Sequence, residues 1–452
     1  QRGLPKLMHR TDQTLNIAIV GTGIAGMSAA WLLNGKHRVT VYEKASRLGG
    51  HSHTVDVPHE GGSTAVDTGF IVYNAPNYPN LSALFNHLDV RTKASDMSFA
   101  ASLRGGGMEY AGTDLDGLLG QRSNIFRPRF WRMVKDIVRF YETAATFLSQ
   151  PDDQNLSLGS YLAREGYSEQ FIDDHLLPMG AAIWSTNPPE LLAYPAKSFI
   201  SFFKSHGLLL LRHRPQWRTV EGGSREYVAK LTAPYADNIR YSGVRAIRRA
   251  PAGVTIEDQK GHIDHFDHVV VATHADEALC LLSDADSLET DLLGKWRYAR
   301  NTAILHGDPA LMPRRRRVWA SWNFIDSGKN QAADLCVTYW MNRLQGLAHP
   351  TPLFVTLNPV RPPSERLVYH RTEYTHPQFD VDALWSQQRL WQLQGRRNTW
   401  FCGSYFGFGF HEDALQAGLA VAEQLGGVRR PWTVSGENSR IHVTSASLEA
   451  AA

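Results

Sequence analysis

The turn after the first buried strand constrains this chain more than any other feature. Asn16-Ile-Ala-Ile-Val20 is a short apolar run of the kind a parallel sheet buries on both faces. Gly21-Thr-Gly23-Ile24-Ala25-Gly26 follows at once, and Met27–Leu33 reads as a helix ended by Asn34-Gly35. Arg38-Val-Thr-Val-Tyr42 is a second strand that runs into Glu43. Three glycines at this spacing are a weak signal alone, but between a strand and a helix they predict a dinucleotide-binding βαβ unit. Gly21 permits the tight turn, Gly23 lets a pyrophosphate approach the backbone, and Gly26 lets the helix pack on the strand. The phosphates belong at the helix N-terminus, where the first N–H groups and the dipole favour anions. Glu43 lies 22 residues after Gly21, where a carboxylate accepts ribose hydroxyls and repels a 2′-phosphate, which argues against NADP.

The strand pattern returns at Ile239–Tyr241, Gly253–Glu257, His262–Phe266 and Val269–Ala272, then at 302–306, 335–341 and 353–357, and last at Thr399–Cys402 before a helix over about 412–425. Between these pieces, residues 124–148 and 196–206 read as amphipathic helices. A chain of 452 residues holds two or three domains. The expected nucleotide-binding domain is discontinuous, built from 14–90, 216–295 and 395–430. Residues 91–215 and 296–394 form a second domain, and 1–13 and 433–452 are flexible termini. A net charge of +3 gives no field that points to nucleic acid. Cys280, Cys336 and Cys402 are too sparse for a disulfide scaffold and suit a reducing cytoplasm. No apolar run is long enough to span a membrane, and none precedes Leu15 to act as a secretory signal. Gln1 opens the chain and Met8 is its first methionine, so translation is expected to start there.

The residues after Glu43 favour one cofactor. Glu43-Lys44-Ala-Ser-Arg47-Leu-Gly49-Gly50 resembles the extended fingerprint of FAD enzymes in the amine-oxidase superfamily, with His51 where an Arg often follows the paired glycines. Asp67-Thr68-Gly69 resembles the segment that comes next. Gly403-Ser404 and Gly409-Phe410-His411-Glu412-Asp-Ala414 through Gly418 resemble the closing motif, with Ser404 where an acid is common. Val220-Glu-Gly-Gly223-Ser, Val244 and Ala272-Thr273 match the central piece. The resemblance covers about 14–430. It implies an α/β fold: a doubly wound, Rossmann-like FAD-binding domain with an inserted α+β substrate domain. It implies noncovalent FAD, lined by Arg47 and the paired glycines, met at the adenine by Val244 and at the pyrimidine edge by the last helix N-terminus.

More narrowly, Asp67–Tyr73, Pro178–Ser185, His206-Gly-Leu, Trp319–Asn323 and Val355–Pro359 resemble a bacterial group of predicted NAD/FAD-binding proteins associated with enzymes that methylate or cyclopropanate fatty acyl chains. That implies a lipid acyl substrate and a cyclopropane-fatty-acid-synthase-like partner. Two departures from the amine oxidases support this. Asn301 takes the place of the Lys that holds a water at the flavin, and only Phe410 takes a place in the usual aromatic pair. The second domain is rich in aromatics. Trp184, Phe199, Phe202, Phe203, Trp322, Tyr339 and Trp340 are each ordinary core candidates, but together they favour a hydrophobic ligand.

The expected activity is FAD-dependent desaturation of a fatty acyl chain, with hydride passing to flavin N5. His411, Tyr339 and His206 are the candidates to handle a proton, with Asn301 beside them. The alternatives are an amine or polyamine oxidase, a flavin-dependent isomerase, and an FAD-binding partner without turnover. The basic amphipathic helix at 124–148, and Arg212, His213, Arg214 and Arg218 after Leu208–Leu211, are candidates for a peripheral contact with the inner membrane face, the plainer reading being a solvated basic side. His262, His265 and His268 share one strand pattern, and at that spacing alternate faces argue against a metal site.

Overall fold

The computed structural model describes residues 13–150, 156–210, 214–328 and 335–444. Met8, Leu211, Arg212 and His213 lie outside them. The chain divides into two compact units. One holds the chain up to Gly50, Val228–Gly294 and the chain from Gln387 onward; the other holds His51–Tyr227 and Lys295–Ser386. This moves 51–90 and 216–227 out of the expected nucleotide-binding part. Trp217–Val220 pairs with Val72–Asn74 and with Thr92–Ser95 of the second unit, and 387–394 pass the other way into the first, which neither glycine spacing nor hydropathy discloses.

The first unit is built on a five-stranded parallel sheet. Its spatial order is Ile239–Arg240, Arg38–Tyr42, Asn16–Val20, His268–Val271, Thr399–Phe401. By chain order this is 3-2-1-4-5, the doubly wound arrangement whose order reverses between the first and fourth strands. Ile17, Ala18, Ile19, Val269, Val270 and Val271 are fully buried, as a sheet covered on both faces requires. Helix Ile24–Leu33 packs against the long last helix, His411–Gly426. Gly418 permits that approach, since a Cβ there would lie 2.3 Å from the Ala25 carbonyl oxygen. A three-stranded antiparallel sheet, Val244–Ala250, Gly253–Asp258 and Ile263–Phe266, completes the unit.

The expected frayed end is corrected in part. Arg430 is buried and donates to both carboxylate oxygens of Glu423, at 2.8 and 2.9 Å, and to the Glu437 carbonyl and the Asn438 side chain. Arg440 reaches Asp413 and Gln416. Residues 433–444 are therefore fastened to the last helix. Residues 445–452 are outside the described residues.

The second unit is organised on a seven-stranded sheet: Val368–Pro377, Tyr298–His306, Phe354–Leu357, Val337–Trp340, Trp322–Ile325, Phe99–Leu103, Met108–Ala111. All neighbours are antiparallel except Trp322–Ile325 with Phe99–Leu103. The helix expected over 124–148 runs from Pro128 to Phe147. Pro128 sets its first turn, because proline has no N–H to leave unbonded there, and Arg122–Phe126 is a separate 3-10 turn. Ala196–Ser205 is the second expected helix, with Phe199, Phe202 and Phe203 buried.

Candidate functional site

The glycine-rich turn sits at the carboxyl ends of the adjacent strands Asn16–Val20 and His268–Val271, where the sheet order reverses. Open α/β sheets bind their ligands at this place. Gly21 has φ +100°, and a Cβ there would lie 2.9 Å from the Ala272 carbonyl oxygen. At Gly26 a Cβ would lie 2.0 Å from the Gly21 carbonyl oxygen, so only glycine fits. Gly23 differs from both. It caps the helix with ordinary extended dihedrals and no side-chain hydrogen bond, and a Cβ there would meet nothing within 4 Å. The loop Gly49-Gly50 closes over it: Gly49 N–H donates to the Thr22 carbonyl at 3.0 Å, and a Cβ on Gly50 would lie 3.0 Å from Gly23 Cα. Open space before the N–H groups of Ile24, Ala25 and Gly26 suits a diphosphate.

Glu43 is buried at the edge of this cradle. Its Oε2 accepts from Thr22 N–H at 3.0 Å and from the Thr22 hydroxyl, and its Oε1 accepts from Ala45 N–H at 2.8 Å. These bonds fix the carboxylate and leave Oε1 a further acceptor position for a ribose. Thr22 was not singled out in the sequence; its signal is a hydroxyl residue inside the glycine triplet. The Lys44 ammonium pairs with Glu277 at the surface, 2.5 Å away. Arg47 is half-buried in the same segment, and its guanidinium reaches the Leu48 carbonyl at 3.5 Å. Val244 is buried at a bulge in its strand, and Ala272 N–H donates to the Val20 carbonyl. The residues present fit FAD, which Gly21, Gly23, Ile24, Ala25, Gly26, Glu43, Gly49 and Gly50 would hold along its diphosphate and ribose.

The closing motif lies in the same unit. Gly403 and Ser404 lead into a tight turn, and Gly409, at φ +93°, donates to the Ser404 carbonyl. Phe410 N–H donates to Asp413 Oδ2 at 2.7 Å, so the first turn of His411–Gly426 is closed by its own third residue. Glu412 is fully buried and accepts from Gln416, while Ala414 is buried one turn along. Burial pulls the His411 pKa down to about 3, so its imidazole is neutral at ordinary pH. Burial pushes the Cys402 thiol far above its usual range.

Other expected site residues belong to the second unit: His51, Thr68, Gly69, His206, Asn301 and Tyr339. Gly69 lies close against His51, where a Cβ would stand 2.1 Å from its carbonyl oxygen, and the Thr68 hydroxyl bonds the Tyr374 hydroxyl at 2.7 Å. The His51 ring lies 4.9 Å from Tyr374 and 5.4 Å from His376. Asn301 is a buried junction. Its Nδ2 reaches the Ser185 carbonyl and His376 Nδ1, both at 2.9 Å, and its Oδ1 accepts from Asn358 at 2.7 Å. Ser185 and Asn358 both hold left-handed dihedrals, with φ of +51° and +46°. His206 is buried, stacked on Phe202 at 3.8 Å, with Nδ1 near the Phe202 carbonyl and the Ser205 hydroxyl. Tyr339 is buried against Trp322 at 4.9 Å, and desolvation raises its hydroxyl pKa well above the usual value. It stays protonated and is no base.

The expected aromatic set resolves into three packed groups. Trp184 joins Phe199, Phe202 and Phe203; Trp322 joins Tyr339; Trp340 joins Trp319 and Phe354. His262, His265 and His268 diverge as well. His262 bonds Asp258, His265 bonds Thr255, and His268 faces Trp400. Among the described residues, no three His, Cys, Asp or Glu side chains are grouped to hold a metal ion, and no helix is long and apolar enough to cross a membrane.

The architecture is shared with enzymes of known structure. Putrescine oxidase bound to putrescine superposes with a TM-score of 0.64 at 13% identity, covering 91% of this chain and 99% of that one. Cyclohexylamine oxidase from Brevibacterium oxydans gives 0.64 at 16%, covering 91% and 100%. A CLA-producing fatty acid isomerase from P. acnes gives 0.62 at 17%, covering 89% and 97%. At these identities the likeness concerns the fold. No curated protein matches in sequence. The family described as flavin containing amine oxidoreductase matches residues 24–311, well over half of the chain. The chain therefore belongs to the flavin containing amine oxidoreductases and is an FAD-dependent oxidoreductase.

Proposed function

We propose that the substrate is a fatty acyl chain, free or in phospholipid and carrying a methyl branch or cyclopropane ring, and that the reaction is its desaturation. The carrying observation is Asn301. Many amine oxidases hold a water at the flavin with a lysine; by sequence alignment Asn301 takes that place, and its amide is bonded by Ser185, His376 and Asn358. The buried Tyr339 and the neutral His411 add no charged group that would attract an ammonium substrate. Making the double bond breaks two C–H bonds: FAD, when bound, would supply the hydride acceptor at N5 and pass the electrons on to O2 or another acceptor, and the proton would go to a base of this chain. His411 and His206 are the candidate bases. An acyl-modifying enzyme of the cyclopropane synthase type is the partner class that would supply this substrate, at the cytoplasmic side of the membrane.

Anaerobic mixing of the yellow protein with lipid carrying methylated or cyclopropane acyl chains is expected to bleach the flavin band, with a new double bond found by mass spectrometry. Bleaching by putrescine or cyclohexylamine and not by lipid would overturn the acyl reading. The fold shared with amine oxidases makes that the second reading. A lipid product of unchanged mass would instead indicate isomerisation, as the fold of the fatty acid isomerase allows.

A further inference from the structure

The second unit carries an apolar surface that its own packing does not use. Phe126 is 86% exposed, Leu115 76%, Trp131 46% and Ile125 41%. They sit on three consecutive elements, Leu115–Leu118, Arg122–Phe126 and Pro128–Phe147. Side-chain bonds tie these elements together. Arg122 donates to Asp116 at 2.5 Å and to the Leu119 carbonyl at 3.2 Å. Trp131 Nε1 donates to the Ile125 carbonyl at 2.8 Å. Asn124 is buried and donates to the Glu109 carbonyl. The apolar tips are thus held outward by polar anchors beneath them, so little conformational freedom remains to be lost on docking.

Cations border the tips. Arg132 and Lys135 are exposed, and neither has an acidic partner among the described residues. Arg127 is bonded only to the Gly107 carbonyl and the Asn124 amide oxygen, so its charge is not neutralised. Exposed Arg316 and Arg317 lie on the short turn Arg316–Val318, which packs against Leu115–Leu118. The nearby acids are engaged locally: Asp116 by Arg122, and Asp114 by the Gly117 N–H that it caps.

We propose that this face docks on an anionic phospholipid bilayer. Phe126, Leu115, Ile125 and the Trp131 ring would enter the headgroup boundary, while Arg127, Arg132, Lys135, Arg316 and Arg317 meet lipid phosphates. Short apolar tips among unpaired cations, with a Trp at the border, match an interfacial surface. A protein interface would bury a core depleted in lysine, whereas Lys135 stands one helical turn from Trp131. The surface lies on the membrane and does not span it, since no helix among the described residues is long and apolar enough to cross. The inference is independent of the acyl-chain reading.

The test is sedimentation of the FAD-loaded protein with vesicles of unmodified phosphatidylcholine, with and without phosphatidylglycerol, so that no turnover enters the readout. Binding is expected only with phosphatidylglycerol, and weaker at high salt. Phe126→Ser with Leu115→Ser is expected to weaken it by ~10-fold or more, and Arg132→Glu with Lys135→Glu by a similar factor. Because these side chains are exposed, flavin content and the unfolding midpoint should not change. Equal binding by both double variants overturns the proposal. So does equal binding to pure phosphatidylcholine. A dimer that Phe126→Ser dissolves, without vesicle binding by the wild type, assigns the face to self-association and also overturns it.

Discussion

Gly23→Asp should yield a folded but colourless protein. A Cβ at Gly23 enters open space and the backbone there is extended, so the substitution imposes neither clash nor strain. Aspartate is also a good N-cap, able to accept from the helix N–H groups that glycine leaves without a side-chain partner. The variant should therefore melt at or slightly above the temperature of the wild-type apoprotein, FAD adding its own stabilisation to the loaded wild type. The same carboxylate occupies the anion position and repels a diphosphate. A loss of ~100-fold or more in FAD affinity, about 2.7 kcal/mol, is expected by titration of the apoprotein. Gly26→Ala is the contrasting variant. Its Cβ would overlap the Gly21 carbonyl, so it should lose the fold together with the cofactor. If Gly23→Asp purifies yellow with unchanged affinity, the diphosphate does not lie at this turn.

That contrast shows what the sequence discloses and what it cannot. Gly21, Gly23 and Gly26 lie within one strand–turn–helix unit, so their roles follow from local spacing and the structure repeats them. The limits of the five parallel strands agree to within a residue because their central residues are buried and apolar, whereas the strand expected over 302–306 begins at Tyr298 and the one expected over 335–341 is Val337–Trp340. The last helix was legible from Gly409 to Gly418. Its binding of residues 433–444 was not, because Arg430 and Arg440 look like ordinary surface cations until Glu423 and Asp413 are found beneath them.

The second unit was less legible because its decisive contacts are long-range. Asn301, Ser185, Asn358 and His376 meet from four segments, and no spacing rule joins them. Aromatic richness suggested one lining, whereas packing divided it into three groups. The π-helical turn Ile172–Leu176 gave no periodic signal either. It places buried His175 between the hydroxyls of Tyr110 and Tyr141, at 3.0 and 3.3 Å.

Asp67 is where two sequence motifs meet for a reason the sequence concealed. Asp67-Thr-Gly and Gly222-Gly223-Ser224 were both read as cofactor segments, but within the second unit Asp67 joins them to each other. Its Oδ1 accepts from the Thr54 hydroxyl at 2.6 Å, the Ser224 hydroxyl at 2.8 Å and Ser224 N–H at 2.9 Å. Its Oδ2 accepts from Gln345 Nε2 at 2.9 Å and from Ser224 N–H at 3.0 Å. Asp67→Ala would leave buried donors without an acceptor, and a loss of roughly 3 kcal/mol or more is expected from chemical denaturation. The pH dependence tests the charge. Burial raises the pKa from 3.8 to about 6, against the donors and Arg225, which lower it. Folding therefore favours the protonated form. Its stabilisation is complete below pH 3.8 and is lost as pH rises through about 6. Asp67→Asn cannot titrate, so subtracting its stability from the wild type isolates this group. That difference should fall by roughly 1.3 kcal/mol between pH 5 and pH 7. A flat difference would mean that the converging donors outweigh burial and that Asp67 is ionised throughout this range.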